Sequence, residues 1–113
     1  MNVKQKEIVL LSYPFSNLEE TKVRPAVVIS NNFFNNNSDD FIAVPITSII
    51  KEDSYSVMIG QNDLDFGKLL KESRIRVDKI FTVEKNLIIM KIGVINNKTF
   101  ENIKSKIKDI FSL

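Results

Sequence analysis

Cysteine and histidine are both absent from this chain. Without cysteine there is no disulfide framework, no thiolate metal site and no thiol nucleophile, and the redox state of the compartment leaves no mark. Without histidine the usual general acid or base and the commonest metal ligand are missing. Any catalysis therefore falls to carboxylates, hydroxyls, lysines and arginines. No apolar run approaches the roughly 18 residues of a membrane span, and the N-terminal run of "MNVKQKEIVLLSYPF" stops after Leu11 with no small-residue cleavage site. A cytoplasmic protein that makes no use of a membrane is expected. The net charge of +2 is too small to speak for or against nucleic acid, because what matters there is clustering on one face.

Arginine is scarce as well. Arg24, Arg74 and Arg76 are the three arginines among sixteen basic residues, and the others are lysines. A planar fork of donors suits phosphate or carboxylate better than a lysine ammonium does, so arginine in a lysine-rich chain draws attention to these positions.

What is present is enough for one domain over 1–113: 113 residues, 43% of them hydrophobic. Most local signals are those of strands. "EIVLLSY" (7–13) ends at Pro14, "AVVIS" (26–30) opens after Pro25, and "FIAVPIT" (41–47) carries a proline that hints at an edge or a bulge. "YSVMIG" (55–60) and "SRIRVDKIFT" (73–82) follow. "LIIMKIG" (87–93) is a sixth strand or part of a turn-and-strand unit closed by Gly93. From Asn96 or Asn97 the period changes. Phe100, Ile103, Ile107, Ile110 and Phe111 recur at spacings of three and four, which predicts an amphipathic helix with an asparagine cap. Short strands followed by one terminal helix predict a small, mainly antiparallel barrel or curled sheet with the helix packed on it. Between the strands, "SNLEETKV" (16–23) and the asparagine-rich "NNFFNNNSDD" (31–40) read as surface loops; Phe33 and Phe34 in the second are either an anchor or an exposed contact surface.

Three clusters carry candidate chemistry. In "SRIRVDKI" strand alternation sets Arg74, Arg76 and Asp78 on one side and Ile75 and Val77 on the other. Arg24 stands before a proline at the mouth of an apolar strand, in the extended geometry that position favours. Thr47 and Ser48 are adjacent hydroxyls just past the apolar part of a strand, where they either cap a turn or serve a site.

The order "IVLLSYPF", "EETKVRPAVVIS", "FIAVPITSII", "GKLLKESRIRVDKI", "FTVEKNLIIMKIG" and a terminal helix resembles the MazF/PemK toxins of bacterial type II toxin–antitoxin systems over nearly the whole chain. That resemblance implies an SH3-like barrel that pairs into a homodimer, binds a cognate antitoxin and cleaves single-stranded RNA without metal or other cofactor. Cleavage runs by attack of a ribose 2′-hydroxyl, leaving a 2′,3′-cyclic phosphate and a 5′-hydroxyl. By the same resemblance Arg24, Thr47, Arg76 and Asp78 match the catalytic positions. Ser48 stands beside Thr47, and Glu19 falls at the family's loop glutamate. On Arg74 the resemblance is silent: it pairs with Glu72 or another surface carboxylate, or it lies along the RNA backbone as a further contact. Where the family has a glycine and an acidic residue before the first strand, this chain has Lys6 and Glu7, so a differently shaped turn is expected there. The first loop also lacks glycine and the histidine some members carry. Two other classes remain open: a CcdB-like poison of DNA gyrase on the same barrel, with no use for Arg76 and Asp78, and an inactive RNA- or antitoxin-binding barrel.

Overall fold

In β1 (Glu7–Pro14) both faces are apolar, and both are buried: Ile8 enters one core while Val9 and Leu11 enter another. The computed structural model describes residues 2–14, 21–49 and 55–113. In these, β1 is followed by β2 (Thr21–Val28), a short helix α1 (Asn32–Asn36), β3 (Asp40–Thr47), β4 (Ser56–Ile59), β5 (Leu64–Gly67), β6 (Ser73–Arg76), β7 (Phe81–Glu84), β8 (Ile88–Ile95) and α2 (Asn97–Phe111). The strands make one antiparallel sheet in the order β4-β6-β3-β2-β1-β8-β5, with β7 also pairing β3. Register shifts in the β1–β8 ladder at Ile8/Val9 and Leu10/Leu11 mark bulges, and bulges increase local twist and help a sheet to curl. The expected mainly-β, SH3-like antiparallel barrel with a C-terminal helix is present as a curled antiparallel sheet.

Each face of the curled sheet buries its own cluster. One holds Ile8, Val27, Val44, Ile46, Val57, Ile59, Ile75 and Val77, and α2 covers it with Phe100 and Ile103. The other holds Val9, Leu11, Ala26, Val28, Phe41 and Ala43. Fully burying one such aliphatic side chain stabilises by about 1.5–3 kcal/mol, so together they outweigh any single polar contact in the molecule. The α2 cap forms as its sequence predicts: the Asn96 side chain accepts from the Thr99 backbone N–H at 2.9 Å.

Several local expectations change. The stretch 73–82 is two strands with a turn at Val77–Asp78: the Val77 N–H still donates across to Tyr55 O at 3.1 Å, and the Lys79 N–H then folds back to Arg76 O at 3.2 Å. Arg24 lies within β2, opposite Leu11, and not at a strand mouth. Pro45 marks a change of partner: β3 pairs β7 through Asp40–Ala43 and β6 from Ile46 onward, and the residue without an N–H sits between the two ladders. β8 runs past Gly93 to Ile95. A Cβ at Gly93 would lie 2.8 Å from Phe66 O, so the glycine admits the neighbouring strand and does not end its own. The asparagine-rich loop contains α1, tied down by buried Asn35, whose amide donates to Ser30 O at 2.9 Å, while Phe33 is 79% exposed. β5 was not legible as a strand. At Lys6 the backbone takes φ 80, so this position is left-handed, the conformation a glycine adopts without strain, although a lysine occupies it.

Candidate active site

Strand register assembles a row of side chains across the sheet. β3 and β6 place Thr47 opposite Arg74, and β6 and β4 place Arg74 opposite Met58. The bonded β2–β3 ladder spans Ala26–Val28 against Ala43–Pro45. Both strands continue beyond it, and that register carried two residues farther sets Arg24 across from Thr47, past the last bonded pair. Directly opposite residues share a face, so Arg24, Thr47, Arg74 and Met58 form one line over four strands. The same face is apolar farther along β2 and β3, at Ala26, Val28, Phe41 and Ala43. One face therefore buries a core at one end and presents arginines and a hydroxyl at the other.

Arg76 stands one step along β6, opposite Ser56. Its Nε and Nη2 donate to the two carboxylate oxygens of Asp78 at 3.0 and 2.8 Å, a bidentate pair with both side chains about a third exposed. Hydrogen bonding from Arg76 holds the Asp78 carboxyl below its usual pKa, with the charges of Arg76 and Lys79 acting in the same direction. Asp78 reaches Arg76 from the turn after β6 and not by strand alternation.

Arg74 is bound differently. Its Nη1 donates to Ser56 Oγ at 2.8 Å, while its Nε is buried and has no hydrogen-bond partner among the described residues. An unsatisfied buried donor costs on the order of 1–3 kcal/mol. The expected surface pairing with Glu72 is not what Arg74 makes. No carboxylate among the described residues lies within ion-pair distance of it.

The Thr47 hydroxyl oxygen accepts the Ile49 backbone N–H at 3.2 Å, so the turn-capping role is real. Because a hydroxyl has one proton to donate besides its lone pairs, that role leaves the Thr47 proton available to a ligand. Ser48 lies one residue beyond the ladder in an exposed bend. Glu19 lies outside the described residues. Ser56, which touches Arg74 and faces Arg76, was missed in the sequence, although the alternation of "SVMI" already puts Ser56 and Met58 on one face.

A second cleft, lined by Asp39, Asp40, Glu84, Lys85, Asn86 and Ile88, lies at the other end of β3 from Thr47. Over that strand the separation is roughly 23 Å at about 3.3 Å per residue. Its acidic rim has the wrong sign for a phosphate. Among the described residues no three side chains of the types Asp, Glu, His and Cys are placed to hold one metal ion, and no helix is long and apolar enough to cross a membrane.

Comparison with known proteins places the chain. A family model for the PemK-like, MazF-like toxin of type II toxin–antitoxin systems matches residues 4–111. Among solved structures, MazE–MazF from Deinococcus radiodurans is similar with a TM-score of 0.83 at 14% identity, covering 100% of this chain and 99% of that one. An endoribonuclease in complex with its cognate antitoxin from Mycobacterial species matches with a TM-score of 0.79 at 18% identity over 99% and 95%. The Mycobacterium tuberculosis toxin MazF-mt6 matches with a TM-score of 0.77 at 17% identity over 95% and 97%. Against curated protein sequences the chain finds no match.

Proposed function

Because the chain belongs to the PemK-like, MazF-like toxin family of type II toxin–antitoxin systems, we propose that it is an endoribonuclease toxin acting on single-stranded RNA. The reaction is internal transfer: the ribose 2′-oxygen bonds to the adjacent phosphorus, the bond from phosphorus to the 5′-oxygen breaks, and the products carry a 2′,3′-cyclic phosphate and a 5′-hydroxyl. A proton leaves the 2′-hydroxyl, and one from solvent arrives on the 5′-oxygen.

The observation that carries this reading is the row of Arg24, Thr47 and Arg74, with the Arg76–Asp78 pair beside it. The phosphorane holds more negative charge than the ground state, and preorganised donors aimed at developing charge supply the largest single contribution in such reactions. Arg24 and the Thr47 hydroxyl are such donors. Asp78 is the carboxylate of the site and takes the 2′-proton; its depressed pKa makes it a weak base, so charge stabilisation outweighs base catalysis. Arg76, held by Asp78, contributes fixed positive charge. A guanidinium is a costly proton donor, which argues against literal acid catalysis by any of the arginines. Single-stranded RNA suits this chemistry because the attacking oxygen, phosphorus and leaving oxygen must come into line, which a stacked A-form duplex resists.

Ser48 and Glu19 are proposed as RNA contacts at the rim. The chain is further proposed to act in the cytoplasm as a homodimer under a cognate antitoxin. Structural relatives crystallised with antitoxin support that partner.

The test is incubation of the purified protein with labelled single-stranded RNA in excess chelator. Cyclic-phosphate ends that vanish in Arg24→Ala are expected. Intact RNA together with inhibited DNA supercoiling would overturn the reading in favour of a gyrase poison.

A further inference from the structure

Arg74 and Arg76 point from the same strand to the same face, yet their surroundings differ. Arg76 is engaged by a two-bond pair with Asp78. Arg74 has only the neutral Ser56 hydroxyl as a hydrogen-bond partner among the described residues, and its Nε is buried and unsatisfied. A half-buried cation with no counterion among the described residues, resting in a position that leaves one donor unused, gains from an arriving anion.

Position makes that anion specific. Thr47 lies between Arg24 and Arg74 in the row, one strand from each. Neighbouring strands are roughly 4.8 Å apart, so the two arginine backbones stand on the order of 10 Å from each other, and a group above Thr47 is within reach of both side chains. We infer that Arg74 is the second phosphate-holding arginine of the site, leaving Ser56 to clamp the scissile phosphate over Thr47 together with Arg24. Arg76 then acts as a positioning charge. Moving the guanidinium off Ser56 also takes Nε out of its unsatisfied place and offers it to a non-bridging oxygen. This inference rests on the ribonuclease reading and concerns which arginine touches the phosphate.

Three variants test it: Arg74→Gln, Arg74→Lys and Ser56→Ala. Single-turnover cleavage of RNA is measured beside binding of a non-cleavable oligonucleotide carrying 2′-deoxyribose at the cut position. Arg74→Gln should lower kcat about 10²-fold, as loss of one transition-state donor does. Its binding should lose close to one phosphate contact in the salt dependence, a slope smaller by about 0.7. Arg74→Lys should keep the salt slope and still lose at least about tenfold in kcat, because a point charge does not replace the fork. Ser56→Ala removes the hydroxyl that holds Arg74 Nη1 at rest and should cleave within about threefold of wild type.

If Arg74→Gln cleaves within about threefold of wild type with an unchanged slope while Arg24→Ala is inactive, the inference fails and the ribonuclease reading stands. If Ser56→Ala reproduces the loss of Arg74→Gln, the Arg74–Ser56 bond is structural and the inference fails likewise. A wild-type protein that neither cuts RNA nor holds the oligonucleotide overturns both. Should Arg74→Gln not fold by circular dichroism, Arg74→Lys and Ser56→Ala decide between these outcomes.

Discussion

Arg76 and Asp78, two residues apart in the chain, are locked face to face by parallel hydrogen bonds of 3.0 and 2.8 Å across a turn that breaks the strand between them. An aspartate engaged in this way holds its charge to a lower pH than a free one, and an arginine engaged in this way has fewer donors to give a substrate.

The first prediction concerns the charge of that pair. Asp78 titrates below its ordinary value of 3.8 in the folded protein, and in Arg76→Met it should return toward that value, as read by carboxyl NMR. A depressed carboxylate pKa stabilises the fold above the unfolded value, and that contribution is lost as pH falls through the folded pKa. The wild-type advantage over Arg76→Met should therefore be present at neutral pH and fade as the pH falls through the lowered pKa of Asp78. Both side chains are about a third exposed and the pair is screened by solvent, so a double-mutant cycle at pH 7 should give no more than about 1 kcal/mol. An unchanged Asp78 titration in the variant would contradict the pairing.

Thr47→Val keeps the shape of the side chain and removes its hydroxyl. Losing the acceptor for the Ile49 N–H should lower stability by about 1 kcal/mol. Losing the donor facing the phosphate should lower kcat by about 10²-fold. Chemical denaturation and single-turnover cleavage separate the two effects, and a variant with normal kcat would remove Thr47 from the site.

Lys6 has φ 80, which costs a residue with a Cβ about 1–2 kcal/mol. Glycine takes this conformation freely but loses more entropy on folding, and the Lys6 ammonium also contacts Asn97 and lies 5.7 Å from the Phe100 ring centroid. Lys6→Gly should still be stabilising by about 0.5 kcal/mol, whereas Lys6→Ala keeps the strain, drops the contacts and should melt lower than wild type. Thermal melts of the two variants should move in opposite directions.

Ile75 is fully buried between Ile46 and Val57 and flanked in sequence by Arg74 and Arg76. Ile75→Ala should cost about 2–5 kcal/mol in a urea titration, because the surrounding strands cannot close over the cavity. Activity at low temperature should fall as well if the arginines on the opposite face depend on this strand's seat.

Much of this architecture was legible in the residues alone. The apolar runs marked β1, β3 and β4, and the three- and four-residue spacing from Phe100 to Phe111 marked α2 with its Asn96 cap, because burial imposes those periods on any chain that folds this way. The family was legible too, in the ordered pieces around Arg24, Thr47 and Arg76. β5 was not, since its four residues pair through Gly67 and Gly93 in a close approach that only the neighbouring strand explains. α1 was hidden for a similar reason: its asparagines suit a turn equally well, and what holds it is Asn35 bound to Ser30.

Alternation along one strand put Arg74 and Arg76 on a common side, and the residue types determined that any chemistry here would run on arginine, hydroxyl and carboxylate. Which arginine meets which partner was decided only by the fold. Register across strands is a long-range property, set by how the two cores pack. It placed Arg74 opposite Thr47 and against Ser56 while the turn at Val77–Asp78 delivered the carboxylate to Arg76 alone.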